Sequence, residues 1–175
     1  MIHTLWEYCE RSGKNLESKV FLALGSNLGD KHKNLKNAEA LLEMKGIQIL
    51  KKSKIYITPP FGYTEQDDFL NECLIVVTTL TPRELLNKIH EIEKELKRER
   101  KIHWGPRTID IDILFYEDKI INEKDLQIPH PGLPERDFVL RPLMDLNPNF
   151  VHPVLKKRIR NLYSKIEDKC LLYDE

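Results

Sequence analysis

The chain has 175 residues, and its basic and acidic side chains are equal in number, 28 Lys plus Arg and 28 Asp plus Glu. A net charge of zero argues against an overall field that recruits nucleic acid or an acidic membrane. The three cysteines form no Cys-x-x-Cys pair, so neither a disulfide framework nor a zinc site is predicted. Without a membrane-length apolar run or a signal-peptide pattern, we expect a cytoplasmic protein with no membrane partner and no nucleic-acid partner.

Hydrophobic periodicity predicts an α+β order of elements. We treat residues 1–18 as an N-terminal extension of unknown role and residues 19–175 as a single domain. The first half of the chain is predicted to form a strand over 20–24, a helix from Asp30 to Gly46, a strand near 47–57 and a strand over 69–80. The second half is predicted to form a helix capped by Thr81, a central strand over 110–115 with a hairpin partner after 117–118, and a closing helix over 154–168. Two adjacent strands without an intervening helix predict an antiparallel or mixed sheet. We expect a ferredoxin-like sandwich with helices on the sheet and a C-terminal elaboration.

The segment 104–115 carries the strongest chemical signal. Gly105-Pro106 is a turn signal, and the residues that follow alternate between apolar side chains and acids. Period two places Asp110 and Asp112 on one strand face, roughly 7 Å apart. That spacing suits carboxylates that hold one or two hard cations such as Mg²⁺. An isolated Asp-x-Asp is more often the solvated face of an edge strand, but Arg107 beside it offers a fork that matches phosphate.

Further basic side chains lie near the acid pair or in a later proline-rich loop. Phosphoryl-type transfer needs charge neutralisation and positioning more than covalent help from the protein. Arg98 and Arg100 can supply that charge, although on charge alone a solvated helix end is the better interpretation. His130 and Arg136 can reach the same nucleotide, or His130 can be a turn residue fixed by its flanking prolines. The P-loop, Rossmann and protein-kinase signatures are absent.

Phe69, Asn71 and Phe138 suggest a second site. Phe69 and Asn71 share one strand face by period two. Two aromatic rings can sandwich a flat heterocycle, and an amide can bind its hydrogen-bonding edge. From sequence alone, core packing is the more frequent role of each Phe. The loop 58–62, Thr-Pro-Pro-Phe-Gly, offers a rigid backbone wall or is simply a connection.

Together these motifs resemble the 6-hydroxymethyl-7,8-dihydropterin pyrophosphokinase family. The likeness covers residues 19–165 and is carried, in the family's order, by segments 20–27, 56–62, 68–71, 104–112 and 129–143. It implies transfer of the terminal pyrophosphate of ATP to the hydroxymethyl group of a reduced pterin, with release of AMP, in folate synthesis. It implies ATP as co-substrate, two Mg²⁺ ions, small-molecule partners and a monomer.

The resemblance also implies roles for individual residues. Asp110 and Asp112 are expected to bind Mg²⁺ and, with Arg98 and Arg107, to form the catalytic set. The residues expected to bind ATP are Arg98, Arg100, Trp104, Arg107, His130 and Arg136, with Arg100 and Trp104 on a loop that closes over the substrates. The residues expected to bind pterin are Thr58, Pro59, Phe61, Phe69, Asn71 and Phe138.

Three positions depart from the family pattern. His103 stands where Arg is usual, Lys97 where Gly is usual, and Ile57 where a basic residue is common. Two other functions fit the same residues. A two-metal phosphohydrolase would direct water at ATP without pterin. A ferredoxin-like binding module of the RNA-recognition type would need aromatic motifs on strands that here carry acids.

Overall fold

The computed structural model describes residues 16–97 and 105–174. The strands are β1 (Ser18–Ser26), β2 (Gln48–Lys52), β3 (Tyr56–Thr58), β4 (Phe69–Thr78), β5 (Asp110–Tyr116), β6 (Ile121–Glu123), β7 (Leu126–Ile128) and β8 (Leu171–Leu172). The helices are α1 (Lys31–Met44), α2 (Pro82–Glu95), α3 (Asp137–Leu146) and α4 (Ile159–Tyr163), with a 3₁₀ turn over Leu133–Glu135. Within these ranges, none of the helices has the length and apolar character needed to cross a membrane.

The main sheet is antiparallel throughout. Its strands lie in the order β5-β1-β4-β3-β8, and β2 also pairs with β4. Strand β1 lies along one edge of β4, while β3 and β2 share the other edge. The hairpin of β6 and β7 forms a separate small sheet. The prediction of an antiparallel or mixed sheet therefore resolves to the antiparallel form.

Helices cover both faces of the main sheet. Leu35 of α1 and Ile89 of α2 are buried in one core with Leu22 of β1. Leu140 of α3 and Ile159 of α4 belong to a second core. Burial of apolar surface at about 25 cal/mol per Å² is the main stabilising term in both cores. The sheet therefore lies between two helical layers.

The predicted helix starts are confirmed. Asp30 accepts a hydrogen bond from the Lys33 backbone N–H at 3.0 Å, which caps α1. At the start of α2, Thr81 and Glu84 form a complete capping box. After α2, Lys97 has a φ of +58°, in the left-handed region that favours glycine. A glycine, which the resemblance leads us to expect at this position, would adopt this φ without strain, whereas this chain has lysine.

Two strand predictions are wrong. The single strand predicted near 47–57 is divided into β2 and β3. Between them the Ser53 hydroxyl, instead of a backbone carbonyl, accepts the Cys73 N–H at 2.9 Å, which interrupts the ladder. The strand over 110–115, predicted at the centre, is β5 at the edge of the sheet, because it pairs with β1 alone among the strands described.

The predicted hairpin and closing helix are also wrong in detail. Strand β6, which follows the turn at 117–118, pairs with β7 and not with β5. The helix predicted over 154–168 is reduced to α4. Before it, the Nδ1 atom of His152 accepts the N–H groups of Val154 and Leu155 at 3.2 Å and 3.1 Å. These bonds hold a turn where the apolar pattern predicted a helical start.

Candidate active site

The predicted strand residues meet at one end of the main sheet. Strand β1 ends there and strands β4 and β5 begin there, so that Gly25 lies opposite both Asn71 and Asp110. A Cβ atom at Gly25 would lie 2.6 Å from the Asn71 side-chain oxygen. Glycine therefore allows the neighbouring strands to bring their functional side chains together. The sequence predicted only a turn at this position.

Asp110 and Asp112 lie on one face of β5, as predicted. Ile111 and Ile113 are buried on the opposite face, in the core with α1 and α2. Although β5 is an edge strand, the carboxylates are not fully solvated: their side chains are 21% and 39% exposed, respectively. The simple solvated edge strand is therefore a poor description of this segment.

Each of the two acids has a basic neighbour. The Nη1 atom of Arg107 donates to the Asp110 Oδ2 atom at 2.5 Å. The Nε2 atom of His130 lies 3.8 Å from the Asp112 Oδ2 atom. The guanidinium carbon of Arg107 also lies 5.9 Å from the centre of the Phe69 ring. Arg107 thus connects the acid pair to the aromatic part of the site.

His130 is held in one orientation by the backbone. Its backbone N–H donates to the Leu114 carbonyl at 3.0 Å, and the Nδ1 atom of its ring accepts the Gly132 backbone N–H at 3.1 Å. In the neutral ring the proton therefore lies on Nε2, the atom nearest Asp112. Burial, followed by the nearby Arg136 guanidinium, lowers the pKa of His130 to about 4, while Asp110 acts in the opposite direction. At neutral pH this imidazole is an uncharged hydrogen-bond donor.

The aromatic part of the site contains two tilted rings beside a guanidinium, and a buried amide. The ring centres of Phe61 and Phe138 are 6.1 Å apart, and the Arg136 guanidinium carbon lies 5.8 Å and 5.7 Å from them. The Asn71 amide donates to the Thr58 hydroxyl at 2.6 Å, with both residues buried. This hydrogen bond fixes which edge of the amide faces the site.

Some predicted residues are less informative. Pro59 is exposed in the loop after β3. Arg98, Arg100 and Trp104 lie outside the described residues, together with His103.

A cavity that the sequence analysis missed adjoins the acid pair. It has a volume of about 290 Å³ and lies between α2, β5 and the β6–β7 hairpin, with Asp112 and His130 in its wall. Leu86 and His90 line it from α2, one helical turn apart, a spacing too common to predict a pocket. Glu93, also in the wall, accepts the Ile111 N–H at 2.9 Å. This bond satisfies a donor at the edge of the sheet and holds the strand that carries the acids.

Carboxylates, a guanidinium and an imidazole at one end of the strands are groups with which an enzyme can bind cations and the phosphates of a nucleotide. The chain belongs to the 7,8-dihydro-6-hydroxymethylpterin-pyrophosphokinase (HPPK) family, whose model matches residues 21–148. The predicted family is confirmed. The predicted class, an ATP-dependent pyrophosphokinase of folate biosynthesis, is confirmed as well.

Individual relatives agree with this assignment. The chain is 44% identical over 141 residues to 2-amino-4-hydroxy-6-hydroxymethyldihydropteridine pyrophosphokinase of Aquifex aeolicus, covering 81% of this chain and 88% of that protein. It is 45% identical over 149 residues to folic acid synthesis protein fol1 of Pneumocystis carinii, covering 85% of this chain but 20% of that longer protein.

A solved structure supports the fold. The crystal structure of wild-type Plasmodium falciparum HPPK-DHPS with pterin and p-hydroxybenzoate is similar with a TM-score of 0.70 at 22% identity. The match covers 87% of this chain and 42% of that one. The predicted ferredoxin-like α+β fold is thereby confirmed.

Proposed function

We propose that this site transfers pyrophosphate from ATP to the hydroxymethyl group of 6-hydroxymethyl-7,8-dihydropterin and releases AMP. One observation carries the proposal: Asp112 lies in the wall of the cavity, while Arg107, which bonds the neighbouring Asp110, lies against the ring of Phe69. A transfer enzyme needs two adjacent substrate sites with phosphate-binding groups between them. A hydrolase needs only the first of these sites.

The acid pair fits divalent cations. Carboxylate oxygens are the ligands that Mg²⁺ prefers, and Asp110 and Asp112 present theirs on the same strand face. We expect two Mg²⁺ ions there, which when bound would neutralise the polyphosphate and polarise its phosphorus. The guanidinium of Arg107, which lies beside Asp110, is proposed to bind phosphate oxygens. Arg98 and Arg100 are proposed to add charge from the segment before Trp104, which is proposed to close over the substrates.

His130 is proposed to bind a phosphate oxygen as a neutral donor. Its Nε2–H lies in the wall shared by the cavity and the acid pair. Because the low pKa keeps the ring uncharged, His130 can orient the nucleotide without competing with the cations for the carboxylates. Arg136, near His130 and the aromatic rings, is proposed to bind phosphate at the border of the two sites.

The nucleoside of ATP is proposed to occupy the cavity. Its wall contains apolar side chains from α2 and β5, namely Leu86 and Ile113, and it opens beside Asp112. A nucleoside bound there has its phosphates directed at the acid pair. This placement adds cavity residues to the ATP-binding set predicted from sequence.

The pterin is proposed to bind across the aromatic group. Phe69 and Phe138 offer ring faces, and the oriented amide of Asn71 offers hydrogen bonds to the heterocycle edge. Thr58 holds that amide, while Pro59 and Phe61 form the wall on the side of the loop after β3.

The decisive experiment uses the purified protein with Mg-ATP and 6-hydroxymethyl-7,8-dihydropterin. We expect AMP and the pyrophosphorylated pterin in equal amounts, with no loss of ATP when pterin is omitted. Formation of ADP would contradict pyrophosphate transfer. Loss of ATP without pterin would support the two-metal phosphohydrolase. The expected monomer and cytoplasmic location remain predictions, and sedimentation would test the first.

A further inference from the structure

Asn27, directly after β1, carries a buried amide that joins three segments of the chain. The residue is 2% exposed. Its Oδ1 atom accepts the Arg107 N–H at 2.9 Å, and its own N–H donates to the Arg107 carbonyl at 3.2 Å. Its Nδ2 atom donates to the Gln66 Oε1 atom at 2.8 Å and to the Asp67 carbonyl at 3.0 Å. Both amide hydrogens and the amide oxygen are therefore used.

The two segments that Asn27 joins serve different parts of the site. Residues 105–109 lead into β5 and carry Arg107, whose guanidinium contacts Asp110. Residues 63–68 lead into β4, where Phe69 is the first residue. Within the second segment, Gln66 also donates to the Tyr63 carbonyl at 2.6 Å, so the part held by Asn27 is a closed turn.

We propose that Asn27 is a positioning residue for pyrophosphate transfer, which fixes the main chain of Arg107 and the turn at 63–68 in one relative position. The inference rests on the proposed function, because it assumes that Arg107 binds phosphate and that Phe69 binds pterin. The reciprocal pair of bonds to the Arg107 peptide sets where the guanidinium enters the site. The two bonds from Nδ2 set where β4 begins. Removing a buried partner leaves the others unsatisfied, so the link is costly to break.

Two substitutions separate the two connections. Asn27→Asp keeps an oxygen for the Arg107 N–H but replaces the donor that faces Gln66 and Asp67. We expect the KM for pterin to rise about tenfold, the equivalent of one lost hydrogen bond, with kcat changed much less. Asn27→Ala breaks both connections, so kcat should also fall by about tenfold or more because the guanidinium is displaced.

Asn34→Asp is the matched control. The Asn34 amide donates to the Ser26 hydroxyl at 3.1 Å and to the Leu28 carbonyl at 2.8 Å, in the same turn as Asn27. It contacts neither 63–68 nor 105–109 in the hydrogen bonds described. It should lower the Tm as Asn27→Asp does but leave KM and kcat unchanged. A KM for pterin that rises equally in both variants would overturn the proposal.

A double-mutant cycle tests the route through Arg107. Asn27 binds the main chain of Arg107, so the Arg107→Ala variant keeps the connection but lacks the guanidinium. If Asn27 acts by positioning that group, Asn27→Ala should lower kcat much less in the Arg107→Ala background than in the wild type. Equal losses in the two backgrounds would contradict the proposal.

Amide hydrogen exchange makes the proposal independent of turnover. Asn27→Asp should speed exchange in 63–68 but not in 105–109, whereas Asn27→Ala should speed exchange in both. If the wild type forms no AMP yet this pattern appears, the proposed function fails while the positioning survives. If the wild type forms AMP and the pattern is absent, the positioning fails alone.

Discussion

The two halves of the site are built differently. In the half proposed to bind pterin, Asn71 and Thr58 are buried and bonded to each other. In the half proposed to bind the nucleotide, Asp110 and Asp112 remain partly exposed beside Arg107 and His130. The first half is shaped by folding, because its polar groups are satisfied by neighbouring strands. In the second half the charges are balanced within the protein, and phosphates and cations must rearrange those contacts when they bind.

Removing charge from the nucleotide half should have the largest effect. In Asp112→Asn the shape of the side chain is kept but the carboxylate charge is lost, so we expect kcat to fall by about a thousandfold, the scale of a main electrostatic stabiliser. The Tm should hardly change, because Ile111 and Ile113 still fill the opposite face of β5. AMP formation and thermal unfolding measure the two effects.

Asp118→Asn is the control for that experiment. Asp118 is exposed in the turn after β5, away from the acid pair. It should keep wild-type kcat. A near-normal rate for Asp112→Asn would show that the carboxylate does not bind the cation.

A substitution in the pterin half should change one KM and not the other. Asn71→Ala removes the amide that donates to the Thr58 hydroxyl and is proposed to bond the edge of the pterin, so we expect the KM for pterin to rise about 30-fold, within the range for a lost buried hydrogen bond. The KM for ATP should stay constant, because the cavity lies beyond β5. Asn37→Ala, at an exposed position of α1, is the control. Equal rises in both KM values would mean that the halves are not separate.

The sequence could predict those parts of the site that depend on neighbouring residues, but not those that depend on partners distant in the chain. Asp110 and Asp112 follow from a local alternation, and Thr81 and Asp30 follow from local capping rules. The roles of Gly25 and Asn27 do not, because each depends on a partner distant in sequence: Asn27 bonds Arg107, 80 residues away. The edge position of β5 likewise depends on which strands pair, which hydrophobic periodicity does not contain.

The residue after Asn71 shows a third arrangement, a buried acid outside the site. Glu72 is 1% exposed, and its Oε1 atom has no hydrogen-bond partner among the described residues. It lies beside Glu39 of α1, which Lys36 and Lys52 contact at 2.9 Å and 2.7 Å. Burial, followed by the charge of Glu39, raises the pKa of Glu72 to about 8.

Glu72 should therefore make the folded protein less stable as pH rises. The stability that its protonated form contributes is complete below the unfolded pKa of 4.5 and is lost as pH rises through about 8. Relative to wild type, Glu72→Gln should gain free energy of unfolding between these values, measured by denaturant unfolding at several pH values. Glu167→Gln, at an exposed position, should show no such trend. A constant difference for Glu72→Gln would contradict the assignment.

His130 should give a smaller effect of opposite sign. Its folded pKa of about 4 lies below the usual 6.5, so the unfolded chain takes up a proton first as pH falls. The stability contributed by the neutral ring is complete above 6.5 and is lost as pH falls toward 4. The free energy of unfolding of His130→Gln should therefore fall less than that of the wild type across this window, while His90→Gln, an exposed histidine of α2, should follow the wild type. If His130→Gln also follows the wild type, folding does not lower the pKa of His130, and the ring takes up a proton in the folded protein as readily as in the unfolded chain.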